Sequence, residues 1–515
     1  MNNKSVFYSY KKTDSWLHLN RYMKNRETES MGKHFLTVLG TGVYKNTEYF
    51  SEEGGYETSF IQEAVLKLKL SEWNPGDKIT VFITEESKNR NWLNRPFTER
   101  EIEEAKEKGE ELPEIKIGLE QILKEQYEGC IESCIIPVGA NEEELWEIFR
   151  NIFDTISQEE ELYIDITHAL RNIPIQLLAV ISYARAIKNV TVSGIYYGAF
   201  EVGKFNEKGV KAAPILNLLT FLDILDWSQA ANEFIKYGNS DQIVDLYHEQ
   251  KRRIGVRQPE LSKVVMELQS ITHGLETSRG YFDKENAARY KKGKSILESY
   301  KQYEETFEIM EKKDRKEHDR KKQQKSSIEP LNELFHTINE KVKIFQVETN
   351  LELGLAAIKW AVENKKTQQG FTALEETMKT FLCNHYGFPE AEELYRDKIC
   401  KSACIMLYMN FQGKKAGECT EEFRRAIYLG WKEERKEWGI APEILEEAEN
   451  IFLTIPERML FMCHEISDCR NSMNHFGYSN KGNYSYKDLE GKLEKYYNEL
   501  LQMIEDMTRG KAKHE

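Results

Sequence analysis

An α/β unit built on a parallel sheet with flanking helices, followed by an all-α region, is the fold class predicted. Two observations carry it. From Met31 to about Pro214, short apolar runs alternate with amphipathic helical stretches, and regular β-α alternation gives a parallel sheet with helices on both faces. Beyond Asp245 the strand signals disappear. At 515 residues the chain also exceeds one ordinary core, so two or three domains are expected.

Residues 1–30 are polar and without a clear period, and are read as an extension upstream of the true start. The domain expected at 31–215 places strands at Phe35–Leu39, Ile79–Ile83, Cys134–Val138, Leu162–Ile166 and Thr191–Tyr197. Helices are expected between them, at Ser59–Leu70, across the charged stretch Glu99–Gln126, at Glu142–Ile156 and at Pro174–Lys188. A helical linker region is expected over 216–350. Its mixed charge run Glu311–Lys322 reads as a solvated helix or loop, with RNA binding the alternative. Gly293-Lys294-Ser295 is no phosphate loop, because Ala288 occupies the required first glycine and no strand precedes it. The all-α domain at 351–515 places helices at Gly370–Tyr386, Asp397–Phe411, Glu421–Glu434 and Pro442–Leu453.

The last helix follows Thr454-Ile455-Pro456-Glu457, which has capping-box spacing with proline in the first turn. Met459, Met462, Cys463, Ile466, Cys469, Met473 and Phe476 recur at spacings of three and four and predict one buried stripe, with Gly477 as the stop.

Composition excludes several classes. With 40% hydrophobic and 31% charged residues the chain is of ordinary globular type. A net charge of −14 argues against broad attraction to phosphate backbones, so any nucleic-acid contact must be local. The start has no apolar core of a signal peptide, and the most apolar run, Pro214–Asp223, is short and carries polar residues. Neither a leader nor a membrane span is expected, and the chain is read as cytoplasmic. Eight cysteines include no Cys-x-x-Cys pair, so reduced thiols are expected, with no metal site and no cofactor.

Ligands in such sheets bind beyond the carboxyl ends of the strands. The first strand runs into Gly40-Thr41-Gly42, where the backbone can pass close to a ligand, although Lys45 breaks any dinucleotide fingerprint. The second ends in Thr84-Glu-Glu-Ser-Lys-Asn-Arg-Asn-Trp92, the third in Pro137-Val138-Gly139. The fourth is the most specific: Asp165, Thr167, His168 and Arg171 precede a helix opened by Asn172 and Pro174, which suits an anionic ligand with ribose and base edges. The plainer alternative is that Asp165 caps local amides and Arg171 pairs with a surface carboxylate.

These blocks, together with Thr58–Ala64, Ile136–Phe149 and Ile195–Glu201, occur in an order that resembles the CARF domain of CRISPR-associated proteins, in the branch with an Asp-Ile-Thr-His-x-x-Arg-x-x-Pro strand end. The resemblance spans most of Met31–Asp245. It departs at Asn217-Leu218-Leu219, where something like Asp-Leu-Thr is expected, and this puts any role there in doubt. It implies a Rossmann-like domain that dimerises and binds a cyclic oligoadenylate, a second messenger of type III CRISPR systems, with the tetra-adenylate ring the expected activator. A two-fold dimer can present both halves of such a ring with the same groups. By the same resemblance Gly40, Thr41 and Gly42 admit the phosphates, Thr84, Lys88 and Trp92 flank the adenines, and Asp165, Thr167, His168 and Arg171 line the floor.

Arg470 lies beside the stripe of the last helix, and His475, five residues on, is rotated about 140° from it on a regular helix. If they cooperate, the last turn unwinds or a second subunit supplies the partner. The alternative is a surface ion-pair arginine and a histidine favouring the C-terminal dipole. Arg470-Asn471-Ser472-Met473-Asn474-His475 resembles the HEPN ribonuclease motif, an arginine, a polar residue and a histidine after four to six intervening positions. CARF–HEPN fusions are messenger-activated ribonucleases. The resemblance therefore implies a homodimer, or a higher oligomer, that cuts single-stranded RNA in antiviral defence.

Without a metal, RNA is cut when its 2′-hydroxyl attacks the adjacent phosphate, leaving a 2′,3′-cyclic phosphate. His475 is assigned to proton transfer, Arg470 to charge stabilisation and Asn471 to orienting one of them, with Glu375 or Glu376 as an acidic assistant. Two rival readings are a non-catalytic sensor whose helices only dimerise, and a CARF site that also cleaves its ligand through His168 or Lys88.

Overall fold

The computed structural model describes residues 32–511 apart from 71, 75, 110, 169–172, 255–258, 281–294, 321–328, 415–417, 477 and 479–483. The expected extension 1–30, Arg171, Asn172, Gly293, Lys294 and Gly477 thus lie outside the described residues, as do the last two residues of the charged run. The chain divides into two compact units between Asp223 and Ile224.

The first unit holds a nine-stranded sheet: β1 (Lys33–Leu39), β2 (Thr47–Ser51), β3 (Gly54–Thr58), β4 (Lys78–Ile83), β5 (Ile131–Ile135), β6 (Glu161–Asp165), β7 (Thr191–Gly198), β8 (Lys204–Phe205) and β9 (Lys211–Asn217). The order is β3-β2-β9-β7-β6-β1-β4-β5, with β8 on β9. The predicted five strands form the parallel run β7-β6-β1-β4-β5. The sheet as a whole is mixed, because β9 joins β7 antiparallel and β2–β3 is a hairpin. Those added strands read poorly from sequence: β2 and β3 are short and polar, and β9 contains Pro214.

Two other expectations need correction. The third strand sits three residues earlier than predicted: β4 ends at Ile83, which pairs with Ile135, and the Ile136 amide closes on the Ile83 carbonyl, so nothing remains for Val138 to pair with. The charged helix is two, α2 (Glu99–Lys108) and α3 (Leu119–Gln126), because Gly109 caps the first in the left-handed region and Pro113 follows. Around these lie α1 (Ile61–Lys69), α4 (Glu142–Thr155) and α5 (Ile173–Lys188).

Two apolar clusters cover the sheet, one built on Phe35, Ile61, Val65 and Leu119, the other on Leu36, Ile148, Leu177 and Ile181. At the end of the sheet away from the strand termini, buried His34 contacts Glu160 at 2.8 Å and Thr80 at 2.7 Å. Burial pushes the Glu160 carboxyl up, but the His34 ring, the Ser157 amide and the Lys78 ammonium pull it down to about 2.

After α6 (Leu219–Tyr237), which spans the division, the second unit is all-helical: α7 (Asp241–Ile254), α8 (Pro259–Glu276), α9 (Ile296–Arg320), α10 (Glu329–Val342), α11 (Asn350–Glu363) and α12 (Thr367–Tyr386). There follow a π-helical run Leu394–Lys401 continued by α13 (Ser402–Phe411), then α14 (Glu421–Lys436), α15 (Pro442–Glu447), α16 (Glu449–Thr454), α17 (Glu457–Asn474) and α18 (Tyr486–Lys511). The helix expected at Pro442–Leu453 is thus broken at Ala448. One core is built on Phe234, Leu268, Tyr303 and Trp360, the other on Phe371, Trp431, Phe452 and Ile466. Helix α11 supplies Leu353 and Trp360 to the first and Ile358 to the second, which is why the two cores belong to one unit.

In α17, Met459, Met462, Cys463, Ile466 and Cys469 form the buried stripe, and Met473 is half-buried. Phe476 does not continue it: the helix ends at Asn474, Phe476 turns into the left-handed region at φ 52°, and its ring is 90% exposed. The capping box is absent too. Pro456 occupies the N-cap without a side-chain bond, and the Thr454 hydroxyl donates to the Asn450 carbonyl at the end of α16.

Candidate functional sites

The ends of β1, β4 and β6 converge because these strands are neighbours in the sheet. Asp165, at the end of β6, is fully buried. It accepts hydrogen bonds from the Thr37 hydroxyl at 2.7 Å, the Thr167 hydroxyl at 2.5 Å and the Thr167 amide at 3.0 Å. The Thr167 oxygen in turn accepts from the Gly198 amide at 2.8 Å. These two side chains therefore tie β6 to β1 and β7, beneath the surface rather than on it. Burial lifts the Asp165 carboxyl above the usual range, against the pull of Thr167, Thr37 and His168.

His168 is half-buried, and burial pushes its pKa down while Asp165 and Glu201 act against this. Its ring meets Tyr44 edge-on at 4.4 Å, and its Nε2 has no hydrogen-bond partner among the described residues. Gly40 packs so close that a Cβ there would come 3.3 Å from the His168 carbonyl, and its amide donates to the Tyr44 hydroxyl at 2.9 Å. The Asn91 amide donates to the carbonyls of both Gly40 and Gly42 at 2.9 Å, and Arg90 donates to that of Thr41 at 3.1 Å. The Gly40–Gly42 turn is thereby held from the β4 side, with Gly42 open to solvent.

Thr84 is buried and occupied in a capping box with Ser87, while Lys88 is partly exposed. Trp92 is 3% exposed within the core that contains Phe60 and Leu119, so stacking on a ligand would require it to leave that core. Asn217 caps α6 through its side-chain oxygen, which accepts from the Leu219 amide at 3.0 Å. Sequence reasoning did not single out Tyr44, Arg90 or Asn91; the one available hint was that the last two fall in the donor-rich stretch after β4.

The second cluster lies on α12 and α17. Arg470 donates to Glu375 at 3.1 Å. Glu375 is 1% exposed and also contacts the Lys401 ammonium and, at 3.4 Å, the Ser467 hydroxyl. A buried carboxylate shared by Arg470, Lys401 and, at 3.9 Å, Lys379 fixes the guanidinium at the end of α17. Glu376 faces elsewhere, pairing with Lys379 and Arg396, each at 2.9 Å. His475 is the C-cap of α17, exposed, with its amide on the Asn471 carbonyl at 3.0 Å, and Asn471 is exposed as well. No hydrogen bond joins the side chains of Arg470 and His475 among the described residues, in keeping with their rotation around the helix.

Residues 34–201 match the family model described as the CARF domain of the CRISPR system endoribonuclease Csx1. The CRISPR-associated protein MJ1674 of Methanocaldococcus jannaschii is 27% identical over 286 residues, 54% of this chain and 39% of that protein, so this chain spans about two fifths of the length of the curated relative it matches. Among solved structures, Enterococcus italicus Csm6 bound to cyclic hexa-2′-fluoro-hexa-dAMP aligns with 93% of this chain and 94% of its own at 9% identity, with a TM-score of 0.40. Taken with the sheet and its strand ends, the match over 34–201 supports a CRISPR-associated protein that carries a CARF domain in its first unit.

Proposed function

We propose that this chain is a cyclic oligoadenylate-activated endoribonuclease of type III CRISPR defence. The messenger is bound at the strand ends of the first unit, and single-stranded RNA is cut, without a metal, at Arg470 and His475 of a homodimer. The observation that carries the reading is the fixed guanidinium: Arg470 is held 3.1 Å from a buried carboxylate at the helix end where His475 is exposed. In the reaction, imidazole of His475 takes the 2′-hydroxyl proton or gives one to the 5′-oxygen that leaves. The Arg470 guanidinium stabilises the phosphorane oxygens, and Asn471 orients a partner group. Because the two side chains diverge on one helix, an arginine and a histidine from facing copies complete the site.

The apolar outer face of the first unit supports association. Trp146 on α4 and Ile175 (74% exposed), Leu178, Tyr183 and Ile187 on α5 present large side chains to solvent. An apolar patch of this kind marks a contact surface.

The test combines purified protein, tetra-adenylate ring, EDTA and labelled single-stranded RNA. Messenger-dependent cleavage leaving 2′,3′-cyclic phosphate ends is expected, with His475→Ala slower by at least about 100-fold and ring binding unchanged. Ring binding without cleavage in the wild type establishes the sensor reading instead.

A further inference from the structure

Within the second unit, where α8, α11, α12 and the π-helical run converge, lies a cavity of ≈410 Å³, a volume usual for small-molecule sites. It is open because facing positions are small: Ala357 and Ala361 on α11 and Ala373 on α12. Leu275, Leu353 and Trp360 give it an apolar wall. The polar wall is rich in acceptors. Thr372 and Thr377 donate their hydroxyl protons to the carbonyls of Gln368 and Ala373, at 3.1 and 2.6 Å, which leaves their oxygens as acceptors at the cavity wall, while the Thr380 hydroxyl donates to the Glu376 carbonyl at 3.0 Å and accepts from Arg396.

Three carboxylates border it, Glu276, Glu376 and Glu390, against two cations. Lys366 lies 3.7 Å from Glu276. Arg396 uses its donors on the Thr380 hydroxyl, the Glu390 carbonyl and Glu376. Glu390 accepts from the Asn350 amide at 2.7 Å and has no cation in ion-pair range among the described residues. Such a wall disfavours phosphates and favours a donor-bearing cation.

We infer that this cavity binds a protonated amine on an apolar body of about indole size, with the ammonium at Glu390, and that its occupancy sets the position of Arg470. The second half rests on the ribonuclease reading. The route is short. Arg396, at the cavity, and Lys401, on Glu375, belong to the same π-helical run. Lys379 links Glu376 at 2.9 Å to Asp397 of that run at 2.8 Å, and Glu375 holds Arg470. An occupant that shifts Arg396 shifts this run and, through Lys401 and Glu375, the guanidinium. π-Helical segments concentrate at sites of this kind.

Calorimetric titration of the full chain with three ligands of one shape tests this: tryptamine, the neutral alcohol tryptophol and the anion indole-3-acetate. Tryptamine is expected to bind at least about tenfold tighter than tryptophol, with indole-3-acetate weakest. Glu390→Gln should bring tryptamine down to the tryptophol level, and Ala357→Leu, which fills the space, should abolish binding. Should Ala357→Leu misfold, Ala361→Val replaces it. Equal affinity for all three, no binding by any, or binding undiminished in the filled variants overturns the site. Tryptamine should also change kcat for RNA with KM little altered, and only in proteins with an open cavity; binding with kcat unmoved overturns the link to Arg470. Binding as expected in a protein that never cuts RNA sinks the ribonuclease reading and leaves the site standing. Cleavage without binding does the reverse.

Discussion

A single carboxylate, Glu375, holds Arg470 in place, and its loss should be felt twice. Glu375→Gln leaves Lys379, Lys401 and Arg470 beside a buried neutral group, so unfolding should become easier by about 3 kcal/mol, read as a lower urea midpoint. RNA cleavage should fall on the order of 100-fold in kcat with KM little changed, as a misplaced guanidinium requires. A second expectation concerns His168. Burial depresses its pKa, and among the described residues Asp165, Glu201 and the Tyr44 hydroxyl are the titratable groups facing it. The ring is therefore neutral near pH 7 in the free protein, and a bound phosphate raises its pKa, so binding takes up a proton. Ring affinity should rise as pH falls from 8 toward 6, by up to about tenfold per unit, and His168→Ala should flatten the slope. Among these residues Arg470 and His475 could be singled out from sequence because their spacing is local. The pairing of Arg470 with Glu375 was not, since 95 positions separate them and only the packing of α17 on α12 joins them.

Elements were legible in proportion to their periodicity. Four strands with continuous apolar runs, and α4, α5 and α12, were read closely, because burial on both faces of a parallel sheet leaves a clear pattern; the edge strand β5, Ile-Glu-Ser-Cys-Ile, is mostly exposed and was placed three residues late. The hairpin β2–β3 escaped because polar edge strands carry no such pattern, and α15 and α16 were read as one helix because their apolar spacing continues across Ala448. Helix α5 is apolar on nearly every side: Leu177, Val180 and Ile181 face the core, yet Ile175 and Ile187 face solvent. Ile175→Glu should leave the first unit folded and halve the molar mass measured by light scattering. A mass that stays unchanged would rule this face out as the proposed subunit contact.

For the whole molecule, the change from α/β to all-α was plain in sequence; the chain divides between Asp223 and Ile224, after Pro214 where the β-α alternation ends and before Asp245 beyond which strand signals vanish. A net charge of −14 argues against attraction of phosphate backbones by the overall field, so the proposed RNA contact is a local one. Activation should therefore depend on the messenger's shape. Titrating rings of four and six adenylates should show half-maximal RNA cleavage at more than about tenfold lower concentration for the smaller ring; the opposite order would reassign the activator.

The wide turns of Leu394–Lys401 also act as a reading frame for the helix that follows. Deleting one residue there, with the wide turns kept, would rotate α13 by somewhat less than about 100°. Ser402, whose hydroxyl receives Trp431 at 2.8 Å and Arg435 at 2.7 Å, would then point away from both. Length in this stretch is thus as constrained as identity.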